Sequence, residues 1–325
     1  MKIKLKIKKE KRKKEEIARF SFLIFLFSFF FLSSCSTPPK NPGDVFDIRK
    51  QAETHLELGN RDADRGDFKN ALNKLDEAWR LAVAADDPGL RIRVGLSRGN
   101  VLFSQGNGKE AEKDWNDALL EAKRVGNDEL AAVSRIHSAR GKLLSATDAD
   151  VSAVAQTVRD DLKQIKDRYY TAFAWTIIGL AENKLGRYVP EAEAAVRRAL
   201  EIHEKDLYFE LAAYDWFMIA SFYSRAGKYP EARKALESAI AFDRRVENSW
   251  GLASDWRAMG DMYAKERNGE EAGAAYLRAA EIFKAIGNGE ASRAAYLRAA
   301  EIFSAVGNEE AAEKARSLAE NGPKP

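Results

Sequence analysis

From Val45 onward the apolar positions recur three and four residues apart, a helical spacing throughout. The clearest piece is Ala212 to Asn248. Trp216, Ala220 and Tyr223 share one helix face there, and Gly227-Lys228-Tyr229-Pro230 then breaks the helix. Pro230 suits the first turn of a second helix, which Ala232, Leu236 and Ala239 stripe at helical spacing. Such a hairpin cannot bury its apolar face alone, and the chain repeats it. A small residue stands at Gly59, Gly99, Ala139, Gly179, Ala220 and Gly260, in steps of forty or forty-one. A fixed period of this size predicts stacked helical pairs that share one continuous core.

The units differ in regularity. The first carries Leu58-Gly59, a Gly66-Asp67-Phe68 turn and Ala71, Leu75 and Ala78, with His55 in the aromatic slot. In the second, Gly106-Asn107-Gly108 precedes Ala111, Trp115 and Ala118. The third lacks a Gly turn, yet Val151, Ala155, Val158, Leu162 and Ile165 keep a helical stripe. The fourth has one residue more in its turn, Gly186-Arg187-Tyr188 and onward. Trp175, Trp216 and Trp256 fall in core slots. Near the end, Ala274–Phe283 (AAYLRAAEIF) recurs at Ala294–Phe303, an offset of half a period. A duplicated second helix thereby serves as the first helix of a seventh unit, with Glu309 to Glu320 as a polar cap.

An aromatic, a small residue, another aromatic, a Gly turn and an Ala-x3-Leu-x2-Ala stripe together resemble a tetratricopeptide repeat. The resemblance implies an all-α, right-handed α-solenoid: six repeats over 47–288, a seventh or capping pair over 289–320, and a disordered tail at 321–325. The common repeat has about 34 residues, so the added length is expected in the second helix and the loop after it.

Composition changes the picture mainly at the N terminus. The chain has 325 residues, 45% hydrophobic, with 53 basic and 50 acidic side chains, enough for a sizeable core. Residues 1–34 hold eight Lys, two Arg and three Glu, and without them the formal charge falls from +3 to −4. Bulk charge then no longer supports nucleic-acid binding, and no nucleic-acid partner is expected. The apolar run Phe20 to Leu32 is too short to span a bilayer and follows a Lys-rich start, as in a signal peptide covering 1–34. Leu32-Ser33-Ser34-Cys35 resembles the lipobox of bacterial lipoproteins, which implies a lipid-anchored Cys35, the one Cys of the chain. Residues 35–46, rich in Pro, read as a flexible linker. The implied location is the cell envelope, with Ser36 favouring an outer-membrane anchor facing the periplasm.

Candidate chemistry is sparse. His55, His137 and His203 form no metal-spaced set, every Gly-rich piece is an interhelical turn, and no nucleophile elbow occurs. No catalytic residue, metal or cofactor is expected, and the chain reads as a binding protein and not an enzyme. The resemblance implies that first helices line a groove and that ligands meet residues around the small slot. Those positions are Asn60, Asp64, Arg93, Asn100, Phe103, Arg140, Leu143, Phe173, Asn183, Lys184, Tyr214, Phe217, Arg225, Arg257, Asp261 and Lys265. Aromatic and basic side chains together suit a protein or peptide partner with apolar anchors and acidic groups. Asn60 and Asn100 match the Asn of chaperone-binding members, but the accompanying Lys is Leu56 or Leu96, so a carboxylate clamp is not expected there. The expected role is an envelope scaffold. The alternative is a periplasmic protein enclosing a small or hydrophobic molecule for transport.

Overall fold

Most of the described helices end where one residue takes a left-handed conformation. Gly66, Gly106, Gly126, Gly186, Gly227, Gly287 and Gly307 do so with φ between 67° and 84°. The backbone then closes on itself: Gly66 N donates to Ala63 O at 3.0 Å and Asp67 N to Asp62 O at 2.9 Å. One residue later an Asp or Asn starts the next helix in five of these seven turns, Arg187 and Lys228 standing there in the others. Asp87 Oδ1 accepts from Leu90 N at 2.9 Å, and Asn288 Oδ1 from Ala291 N at 3.0 Å.

The computed structural model describes residues 42–143 and 147–320. The expected signal peptide, Cys35 and the tail 321–325 lie outside the described residues. Contacts divide the chain between Met1–Lys50 and Gln51–Pro325, the boundary falling within the first described helix; the helical array and the interaction face belong to the second unit. The helices are α1 (Pro42–Asp64), α2 (Phe68–Ala84), α3 (Pro88–Ser104), α4 (Gly108–Arg124), α5 (Asp128–Leu143), α6 (Asp148–Leu162) and α7 (Arg168–Lys184). They continue as α8 (Glu193–Lys205), α9 (Phe209–Arg225), α10 (Tyr229–Arg245), α11 (Ser249–Lys265), α12 (Gly269–Ala285), α13 (Gly289–Ala305) and α14 (Glu309–Glu320). The described residues contain no strand, and successive helices pack in pairs as an α-solenoid.

Two expectations are corrected here. First, α1 begins at Pro42, inside the segment 35–46 read as linker, because Pro is favoured in a first helical turn. Second, the added length is not confined to the second helix and its loop. Helices α3, α4, α9, α10, α11 and α12 each have 17 residues. Three-residue turns separate them both within and between pairs. The fourth pair departs from this pattern: a π-helical turn, Tyr188–Ala192, takes up the added residue ahead of α8, with a cis Val189–Pro190 bond.

Packing follows the small slots. A Cβ placed on Gly59 would stand 2.8 Å from Leu75, and one on Gly260 2.7 Å from the Tyr276 ring, so each Gly admits a side chain of its paired helix. The core is a series of local clusters along the array. Trp115 is fully buried in one of them. Trp175, Trp216 and Trp256, expected as core, are only half-buried. Each has an Arg over its ring: Arg198 and Arg278, from the paired second helix, 4.3 Å and 4.5 Å from the Trp175 and Trp256 centroids, and Arg197, from the second helix of the preceding pair, 5.5 Å from that of Trp216.

Candidate interaction face

The first helices of successive pairs, α1, α3, α5, α7, α9 and α11, present side chains to a common interior. Tyr169 and Tyr214 are 38% and 47% exposed, yet desolvation is the main cause pushing both phenols upward. Both facts hold together if the water they touch fills a space walled by protein. Asp64 behaves alike: it is exposed, and burial followed by the charge of Glu210 raises its carboxyl to about 7. The charges reach across pairs. Asp64 of α1 acts on Tyr169 of α7, and Arg140 of α5 acts on Tyr169 and on Tyr214 of α9. Gly66, after α1, lies against Trp250 of α11, with a Cβ there 3.3 Å from the indole.

Within this interior the expected site residues divide into three groups. Asn100, Phe103 and Phe173 belong to a packed stack. Phe103 meets Trp115 at 5.5 Å, Trp115 meets His137 at 6.0 Å, and His137 meets Phe173 at 4.4 Å. Burial, helped by Arg140, pushes His137 down to about 3, so its neutral ring donates through Nδ1 to Asn100 Oδ1 at 2.8 Å. That bond takes the Asn100 carbonyl away from any ligand. Arg140 covers the Phe103 ring at 5.2 Å, and Leu143 is buried.

Lys184, Asn183, Arg225 and Lys265 form a second group, expected to meet a ligand but bonded to one another's helices. Lys184 Nζ donates to Leu143 O, Arg225 Nη1 to Asn183 Oδ1 at 3.3 Å and Lys265 Nζ to Ser224 Oγ at 3.1 Å. In each case the cation five residues after a small slot ties to the residue four after the preceding slot. The negative end of each preceding helix attracts the cation, which meets the backbone carbonyl of Leu143 and side-chain oxygens at Asn183 and Ser224. Arg93 likewise pairs with Glu53 at 3.4 Å.

The third group remains open to the interior. Tyr214 and Phe217 stack with centroids 6.5 Å apart, and Asn60 is half-buried on α1. Arg257 is exposed and makes no hydrogen bond or ion pair among the described residues. It lines a cleft of about 320 Å³ with Asp261, Tyr276, Arg298 and three alanines of α13. Tyr276 donates its hydroxyl to Asp261, and Arg298 holds Glu301 at 2.9 Å, so Arg257 is the cation left to meet an anion.

The sequence reading missed Tyr169, Glu210 and Trp250. All three stand ten residues before a small slot, one turn beyond the positions chosen, and a longer first helix brings that turn into the interior. It also missed Arg298, hidden in the duplicated segment. Among the described residues no group of His, Cys, Asp or Glu is placed to hold a metal ion.

No protein-family model matches the chain, and no curated protein matches it in sequence. Solved structures do resemble it. A Rap protein complexed with Competence and Sporulation Factor is 15% identical at a TM-score of 0.58, over 83% of this chain and 74% of that one. A signal-transduction ATPase with a tetratricopeptide repeat sensor from Pyrococcus horikoshii is 15% identical at 0.54, over 85% of this chain and 43% of that one. Aspartyl phosphate phosphatase F from Bacillus subtilis is 12% identical at 0.52, over 85% and 71%. At these identities the likeness is one of fold: an α-solenoid of tetratricopeptide type.

Proposed function

We propose that this protein is a lipid-anchored, non-catalytic scaffold of the bacterial cell envelope that holds a segment of a protein partner along the interior face of its first helices. The observation that carries the binding face is the exposed Tyr214 ring, stacked on the half-buried Phe217 inside a desolvating interior, where an apolar anchor gains most from leaving water. Arg257 in its cleft adds a place for an acidic side chain of the same partner. A Rap protein of similar fold, complexed with Competence and Sporulation Factor, is consistent with this use of the fold. The anchor rests on the Leu32–Cys35 sequence; no helix among the described residues is long and apolar enough to cross a membrane.

A photo-crosslinking residue at Tyr214, with one at the outward Leu120 as control, tests the face in intact cells. One protein captured reproducibly from position 214, not from 120, and lost on Arg257→Ala, is the expected result. No capture, or equal capture from both positions, overturns it. For the anchor, Cys35→Ala is expected to release the protein from membranes, and full retention there would sink that part.

A second reading, a carrier enclosing a small molecule, draws on the Gly66–Trp250 contact that bounds the interior. Phe103 and Phe173, the aromatic candidates such an enclosure would call on, are instead occupied in the His137 stack. A molecule retained in native mass spectra and lost on Phe217→Ala would favour the carrier.

A further inference from the structure

Four carboxyl groups gather where the first helical pair meets the fifth and sixth. Asp64 ends α1, Glu210 opens α9, and Asp243 of α10 faces Asp255 of α11. The charge of Glu210 bears on both Asp64 and Asp243, and Asp243 shares a hydrogen bond with Asp255. Gly66, two residues past Asp64, rests on Trp250, which opens the helix that carries Asp255. The contact that closes the interior and the acid groups therefore belong to one seam.

The pair at its base is unusual for a buried joint. Asp243 and Asp255 are 4% and 2% exposed, and Asp255 Oδ2 has no hydrogen-bond partner. Asn248 Nδ2 donates to Asp243 Oδ1 at 3.0 Å, and Asn248 Oδ1 accepts from Gly251 N at 3.1 Å. The charged groups acting on Asp243 are Glu210 and Asp255, and the one acting on Asp255 is Asp243; no Lys, Arg or His among the described residues offsets them. Asp64 faces Glu210 and Tyr169, with Arg65 as its cation. One repeat earlier the same two positions hold His203 and Asp215, 2.6 Å apart, and one repeat later Phe283 and Ala295. The neighbouring joints thus use a hydrogen-bonded His–Asp pair and an apolar pair, while this one uses two acids.

We propose that the seam is a proton-operated latch on the interior, shut while its carboxyls hold protons and released as they ionise. With a proton on Asp255, that side chain can donate to Asp243 and the pair is a hydrogen bond. Without it, two like charges are buried within hydrogen-bonding reach of each other beside Glu210, and α11 is pushed from α10, carrying Trp250 off Gly66. Burial raises Asp243 to about 6, Asp64 to about 7 and Asp255 to about 9. Raised folded-state values set the sign: closure is strongest below the ordinary carboxylate range and weakens as pH climbs through these three values. The latch concerns entry and holds whatever the interior binds.

Hydrogen exchange of the full chain, corrected for the intrinsic pH dependence of exchange, tests it. From about pH 6 to about pH 9, protection at residues 65–67 and 248–252 is expected to fall about tenfold or more, while the 105–107 turn stays level. Asp255→Asn, whose amide can still donate to Asp243, is expected to keep 248–252 protected to about pH 9 and to leave at 65–67 only the smaller loss that ionisation of Asp64 causes. Should that variant fail to fold, Asp243→Asn removes the same repulsion from the other side. Unchanged protection in the wild type, or an equal loss in a folded variant, overturns the latch.

Discussion

Leu207 sits in the left-handed region at φ 64°, between α8 and α9, where most other turns place Gly. An L side chain there costs about 1–2 kcal/mol, and Leu207, 67% exposed, has little packing to offset it. Leu207→Gly is therefore expected to stabilise the protein by about 1 kcal/mol, seen as a higher urea midpoint at unchanged slope. A lowered midpoint would mean that Leu207 makes contacts its exposure does not suggest. At this scale the sequence was readable where a residue's role is local. Gly turns and small slots declare themselves, since each answers to its own backbone or its paired helix. Lys184, Arg225 and Lys265 did not, because their partners stand a whole repeat away and nothing nearby in the chain marks them as taken.

Between helices, the period of forty was legible and its internal division was not. Equal helices of 17 residues and equal turns make twenty a true half-period. A copied second helix can then enter as a first helix without a change of register. The copies bury matching positions, Ala275, Tyr276, Ala279, Ala280 and Phe283 against Ala295, Tyr296, Ala299, Ala300 and Phe303. The small slot can be tested within this scheme. Tyr276 is pinned by its bond to Asp261, so its ring cannot swing away from a methyl group at position 260. Gly260→Ala is expected to cost about 1 kcal/mol net, overpacking outweighing the gain in helix propensity. Adding Tyr276→Leu recreates the Ala220–Leu236 pairing of the preceding repeat and should recover stability. A double-mutant cycle without coupling would reject the pairing. The same equal division explains the missed Tyr169, Glu210 and Trp250, since the positions chosen assumed a shorter first helix.

Along the whole array, a periodic sequence reveals what each repeat does to the next and conceals contacts between distant repeats. The meeting of Gly66 with Trp250, and of Asp64 with Glu210, depends on how small rotations accumulate over five or six pairs. The last pair bears on that contact through a chain of packing. Helix α13 buries Tyr276 and Phe283, Phe283 meets Trp250 edge-on at 5.6 Å, and Trp250 meets Gly66. A chain ending at Asn288 would bare Tyr276 and Phe283, each worth about 1.5–3 kcal/mol when buried. It is expected to melt at lower temperature, to associate with rising concentration in light scattering, and to lose exchange protection at residues 65–67 even in acid. A shortened protein that stayed monomeric with those amides still protected would show that α13 and α14 are dispensable to the interior. Loss of protection would instead make the duplicated end a support for the closure at the other end of the array.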